Sequence, residues 1–322
     1  MSNVGYDQFI QSLYVKYPKK AKLTEALVEL LSIEREAVYR RLRKDVLFSI
    51  YEIAKIAHAW NISIDNIFGI AIEKSYRFQM DYFSYNQPTK QDLETLEDYV
   101  QLIKNMAAAP DSTYVEISNV LPRSLFCAFP LLSKFHVFKW MYFYGTEKDI
   151  CPFSQLTPPQ KIMELAAEYA EWTTKLAHVS YIWDEMIIRY LLNDIRYFAS
   201  IYLITAEEVQ LLKEELSNFL NYVENLAVHG CFPGTNNKLD LYISRVNLDT
   251  NYCYFSSPSI KVGALRAFIL SLAISTEEEI CDKFQNWITM QKRVAMLISQ
   301  VDEKQRIEFF RGQRALIAGL QE

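Results

Sequence analysis

Between Lys16 and Lys44 stand nine Lys/Arg against four Glu, a local charge of +5 in a 322-residue chain whose net charge is −5. The remaining residues therefore sum to −10. Inside this basic stretch, Arg35, Glu36, Tyr39, Arg40 and Arg43 fall on the side of a short helix opposite Val38 and Leu42, which lie four apart and mark its inner face. Guanidinium groups donate paired hydrogen bonds to phosphates and to the edges of bases, carboxylates accept from amino groups, and a tyrosine adds a ring and a hydroxyl. This is chemistry of polar recognition. A basic patch on an acidic body is the footprint of a protein that touches a polyanion with one end only.

Positioning these side chains requires a compact set of helices. Phe9, Ile10, Leu13 and Tyr17 are at helical spacing over 6–17, and Pro18 ends that helix. Lys19, Lys20 and Lys22 flank the start of the next, Leu23–Leu31, in which Leu27, Leu30 and Leu31 face inward. Ser32-Ile33 makes a tight corner into the helix over 34–44. Ser49-x-x-Glu52 is a capping box for a helix with an apolar stripe of Ile53, Ile56, Ala57 and Trp60, and Asn61 suits a left-handed stop. A last short helix from Ser63 is expected to bury Ile64, Ile67 and Phe68.

The stretch LVELLSIEREAVYRRLRK resembles a helix-turn-helix, and FSIYEIAKIAHAWNISIDNIF is similar to the closing helices of the λ-repressor/Cro (XRE) type. The resemblance spans roughly the first 70 residues. It implies that the 34–44 helix enters the major groove of double-stranded DNA, with Arg35, Glu36, Tyr39 and Arg40 against base edges. Lys20, Lys22, Thr24, Arg43 and Lys44 would then hold phosphate. Two departures stand out. Ser32 occupies a corner where the family most often has Gly, so its backbone is expected to avoid positive φ. Glu34 and Glu36 place acidic groups at the head of the presumed recognition helix.

Half of the residues are hydrophobic and 23% are charged, which excludes a disordered chain and allows a large core. Cys127, Cys151, Cys231, Cys253 and Cys281 are widely spaced, odd in number and without a CxxC, so buried free thiols in a reducing compartment are expected. The N-terminus lacks a signal-peptide pattern, and the most apolar run, Leu125–Tyr144, is interrupted by Pro130, Lys134 and Lys139. A cytoplasmic protein with no membrane partner is the expectation.

After Phe68 the period changes. Tyr76, Phe78, Met80 and Tyr82 alternate with polar residues as in a strand, which puts a domain boundary in 69–75 and divides the chain into 1–70 and 71–322. In the larger part, helices are expected from Thr89 to Pro110, over two short segments of 122–145 broken at Pro130, from Pro158-Pro159 to His178, from Trp183 to Tyr202, from the capping box Thr205-x-x-Glu208 to Val228, from Thr276-x-x-Glu279 to Ser299, and over 303–319. TYVEIS (113–118) reads as a strand, and LDLYISRVNLDTNYCYF as a hairpin turning at Asn247–Thr250. The expected fold class is mainly α: a λ-repressor-like bundle followed by a larger, mostly helical α+β domain with a few short strands.

Four dispersed histidines without metal spacing, eight glycines and no nucleotide-binding or GxSxG run give no support for a catalytic, metal or cofactor site. The expected function is a DNA-binding transcription regulator acting as a homodimer, since two heads on a two-fold axis read paired half-sites. Its body, with the aromatic segments Phe126–Tyr144 and Tyr242–Phe255, would sense a small-molecule or peptide effector. The alternative is a helical protein- or peptide-binding module with a merely solvated basic face. Steep salt dependence of duplex binding separates the two.

Overall fold

A computed structural model describes residues 4–60, 62, 64, 76–85 and 87–320. The chain divides into two compact units, 1–76 and 77–322. The segment 69–75, together with Asn61, Ser63, Ile67 and Phe68, lies outside the described residues.

In the smaller unit, α1 (Val4–Lys16), α2 (Lys20–Leu31), α3 (Arg35–Leu42) and α4 (Ile50–Trp60) follow the expected apolar spacing. Phe9, Leu13, Leu23, Leu27, Val38, Ile56 and Trp60 share one core, with Leu30 and Leu31 packed at its edge. The Ser49 capping box forms: the Ser49 N–H donates to Glu52 Oε2 (2.7 Å) and the Glu52 N–H to Ser49 Oγ (3.3 Å). At the α2–α3 corner Ser32 adopts φ 55° and ψ 43°, contrary to the expectation of negative φ. Its N–H caps the Val28 carbonyl at 2.9 Å, so the helix ends by the left-handed route that glycine usually provides.

The larger unit overturns the mainly-α expectation. It is an α+β structure built on one eight-stranded mixed sheet, in the order β1-β7-β6-β5-β2-β3-β4-β8. The strands are β1 (Gln79–Met80), β2 (Thr113–Ser118), β3 (His178–Asp184), β4 (Lys238–Ser244), β5 (Tyr252–Ser256), β6 (Lys261–Ala267), β7 (Ser271–Ser275) and β8 (Met296–Leu297). Strands β2, β3 and β4 are parallel neighbours, and the remaining pairings are antiparallel. The helices are α5 (Lys90–Ala107), α6 (Arg123–Phe126), α7 (Pro130–Tyr144), α8 (Gln160–Thr173), α9 (Ile187–Ser200), α10 (Ala206–His229), α11 (Glu278–Val294) and α12 (Glu303–Ala318).

Three expected features are corrected. The segment HVSYIWD, assigned to the end of one helix and the start of the next, is the central strand β3. It is buried on both faces, which erases the polar–apolar alternation that marks a half-exposed strand. The 238–256 hairpin does not form, because β4 pairs with β3 and β8 while β5 pairs with β2 and β6. The connecting loop instead crosses the ends of β3 and β2. The Leu248 N–H donates to Asp184 Oδ2 (2.9 Å), and Asn119 donates through its N–H to Asn251 Oδ1 (2.9 Å) and through Nδ2 to the Leu248 carbonyl (2.8 Å). Finally, α11 starts at Glu278 with no side-chain cap, so the Thr276 box is absent.

One face of the sheet carries Tyr114, Glu116, Val179, Tyr181, Trp183, Leu239 and Leu241, and most of the helices pack there. Trp183 stacks on Phe219 of α10, and α5 packs on α8. The opposite face is covered by α11. Gly263 of β6 is a close approach: a Cβ there would sit 2.9 Å from the Phe284 ring. Phe135, Phe138 and Trp140 of α7 are core, with Phe135 and Phe138 both against Phe198, while Phe143 and Tyr144 at its end are exposed. The five cysteines are free thiols, with Cys127, Cys253 and Cys281 buried and Cys151 and Cys231 half-buried. Among the described residues no helix is long and apolar enough to cross a membrane.

Candidate nucleic-acid interface

The α3 helix has eight residues and ends where Lys44 turns left-handed at φ 67°. Val38 and Leu42 are buried under it, which leaves Arg35, Glu36 and Arg40 exposed and Tyr39 half-buried at the margin. The outward face is therefore the one expected. Its charges, however, are largely paired within the unit. Arg35 Nη2 is 3.3 Å from Glu25 Oε1, and Arg43 meets Glu36 (3.2 Å) and Asp45 (3.0 Å). Lys44 pairs with Asp7. These side chains are about half or more exposed, so each pair contributes little to stability and opens readily for a stronger anion.

Arg40 differs. Among the described residues its side chain has no hydrogen-bond or ionic partner, so it is the guanidinium on this face that is free to donate. Lys20 places its ammonium 5.5 Å from the Tyr39 ring centroid, which joins the start of α2 to α3. Lys22 is exposed. Thr24, expected at phosphate, is turned inward: it is 1% exposed, and its Oγ1 donates to the Lys20 carbonyl at 2.8 Å. Its position three residues before Leu27 puts it on the buried stripe of α2.

Sequence reasoning missed the group that holds α3 in place. Arg41 forks onto Glu52, Nε to Oε2 at 3.2 Å and Nη2 to Oε1 at 2.9 Å, and Nη1 donates to the Ala37 carbonyl at 3.2 Å. Burial opposes ionisation of Glu52, but the hydrogen bonds from Arg41 and the Ser49 N–H outweigh it and hold the carboxyl below its ordinary range. The capping box was visible in the sequence. That its carboxylate also anchors Arg41 was not, because the two lie on different helices.

Two cavities among the described residues of the larger unit are lined by polar groups. One, of about 60 Å³, lies between α5, α8 and the sheet and is lined by Tyr99, Tyr114, Glu116, Arg123, Tyr169 and Arg266. Burial raises the Glu116 carboxyl against the pull of Arg266. The second, of about 400 Å³, opens where β2 and β3 end and is lined in part by His136, Lys139, Tyr190, Asp194, Asn251 and Arg266. The expected aromatic walls contribute little: from Phe126–Tyr144 only His136 and Lys139 line the larger cavity. Among the described residues no three or more His, Cys, Asp or Glu side chains are grouped to hold a metal ion.

Comparison with known protein families, with curated proteins and with solved structures finds no match.

Proposed function

We propose that the chain is a sequence-specific DNA-binding transcription regulator that acts as a dimer, with α2 and α3 as a helix-turn-helix and α3 in the major groove. The observation that carries this is the arrangement of α3. Its apolar side is buried and braced by Arg41–Glu52, and its outward side presents Arg35, Tyr39 and the unpaired Arg40. A short braced helix offering donors along its outward side, Arg35 in its first turn and Tyr39 and Arg40 in the next, suits base-edge readout, and Lys20, Lys22, Arg43 and Lys44 around it suit phosphate. Glu36 is the group that would accept from a cytosine amino group once Arg43 turns to phosphate.

Selection of a bound duplex from a random library, followed by titration at several salt concentrations, tests this. The expected result is one enriched motif with two half-sites, an affinity that falls steeply with salt, and a loss of base preference at one position in Arg40→Ala. Binding without sequence enrichment would overturn the specific reading. A homodimer in sedimentation at micromolar concentration is expected. The exposed stripe Trp287, Met290 and Val294 on α11 supports a self-association face.

A protein-binding module is the second reading. Leu47, Ile50 and Tyr51, 51%, 75% and 85% exposed, favour it, because they put apolar side chains in solvent beside α3.

A further inference from the structure

The larger cavity, of about 400 Å³, falls within the size range of small-molecule sites. The smaller one, of about 60 Å³, has room only for a few waters. The larger cavity also occupies a particular place. Val120 and Leu121 follow β2, Ile187 and Tyr190 open the helix that follows β3, and Asn251 ends the loop that crosses both strands. Open sheets with parallel strands bind ligands outside the carboxyl ends of those strands, where the chain order reverses. Here the cavity lies outside the carboxyl ends of the parallel neighbours β2 and β3.

The groups facing the cavity define a chemistry. Arg266 donates through Nη1 to the Leu121 carbonyl at 3.1 Å, and its other donors remain for a ligand. Lys139 is paired with Asp194, so Arg266, Lys139 and Asp194 sum to one positive charge, and the further carboxyl that Arg266 faces, Glu116, is shifted by burial toward its neutral form. His136 adds an acceptor. Its Nδ1 lies 2.7 Å from the Leu132 carbonyl, a bond it makes only as a donor, so Nε2 carries the lone pair. Burial keeps this imidazole neutral, and its flat contact with Phe126, 3.8 Å between centroids, fixes the ring. Apolar wall is supplied by Ile187 and Leu191.

We propose that this cavity binds a small organic hydroxy-carboxylate, with the carboxylate toward Arg266 and Lys139 and the hydroxyl donating to His136 Nε2. A net positive charge on the cavity lining and one fixed acceptor beside hydrocarbon match one anion and one donor on a short carbon frame.

The cavity wall also includes the β6–β7 turn, where Phe268 and Ile269 both have positive φ, 46° and 68°. A β-branched residue in this region is costly and persists only where its surroundings hold it. Here the Phe268 ring packs on Tyr82 and Tyr144, 5.8 and 5.7 Å between centroids, and β7 pairs with β1. A ligand that pushes on this turn acts on residues 79–82, where the chain enters the larger unit. That regulatory consequence rests on the DNA-binding reading, whereas binding itself does not.

The test is calorimetric titration of the full chain with lactate, 3-hydroxybutyrate and 4-hydroxybenzoate, each beside its neutral amide. At least one acid is expected to bind with a submillimolar Kd and its amide at least about tenfold more weakly. Arg266→Gln is expected to lose about tenfold or more. Because Arg266→Gln removes the half-buried bond to the Leu121 carbonyl, Asn193→Trp serves as the second variant: Asn193 is exposed and lines the cavity, so a tryptophan there obstructs it from the solvent side. No heat from any of the three acids up to about 10 mM, or binding unchanged in Asn193→Trp, overturns the proposal. Duplex affinity is measured with and without the bound acid. An acid that binds while the protein shows no affinity for any duplex leaves the site standing and removes the regulator reading.

Discussion

Arg41 and Glu52 are joined by two hydrogen bonds, of 2.9 and 3.2 Å, and the same carboxylate accepts from the Ser49 N–H. One side chain thus caps α4 and anchors α3. With the two side chains only 19% and 17% exposed, the pair is shielded enough for its loss to be felt. Glu52→Ala should destabilise the smaller unit by about 1–3 kcal/mol, measured by urea unfolding followed in the full chain. Because the folded carboxyl lies below its ordinary value, the unfolded state binds more protons between the two. The contribution is complete above the ordinary carboxylate range and is lost as pH falls through the folded value. Glu52→Gln should flatten stability across that acidic window.

Arg40 and Arg43 differ in what they must give up. Arg40→Ala should cost about 1–3 kcal/mol of operator affinity and relax one base position. Arg43→Ala should cost less, because Arg43 leaves Glu36 and Asp45 to reach phosphate. Glu36→Gln should raise non-specific affinity by removing an anion from the face. Titrations of one duplex by the three variants, at matched salt, check the order.

Thr24→Val should leave duplex affinity unchanged to within a few tenths of a kcal/mol, since the hydroxyl is buried and bonded to Lys20. A loss as large as that of Lys22→Ala would show that α2 is presented differently.

Ser32→Gly should stabilise the chain by about 1 kcal/mol, since a left-handed residue with a Cβ carries a penalty that glycine lacks. A shift of the first thermal transition upward, with duplex affinity retained, is the expected outcome.

His136 is held neutral by burial, its pKa lowered from 6.5 to about 3. In the unfolded chain it protonates near the ordinary value, so the unfolded state binds the extra proton between those limits. Stability should therefore fall as pH drops from about 6.5 toward 3. His136→Gln should lose that part of the slope while the rest of the acid transition remains, as read from urea midpoints across the window.

The smaller unit was largely legible in the sequence. Its helices are set by contacts three and four residues apart and by caps such as Ser49–Glu52, and all of these are visible in a short window. The burial of Thr24 was not legible, because a threonine on an apolar stripe looks polar until its hydroxyl is seen bonded to its own helix. Long helices of the larger unit were found where a capping box announced them, as at Thr205–Glu208. Strand β3 was hidden by its burial on both faces, and β6 and β7 were not anticipated.

What the sequence alone determined was local: where amphipathic helices run, which side of α3 stays in water, and that charge of opposite sign separates the first residues from the rest. Tertiary structure decided the partners. It placed β2 and β3 between β4 and β5, brought His136 beside Arg266 across 130 residues of chain, and set Asp7 on Lys44 across 37. Helical hydrogen bonds and caps close within a few residues, so sequence spacing encodes them. Strand pairing and side-chain ion pairs close over any distance along the chain, and only the folded backbone selects among the combinations available.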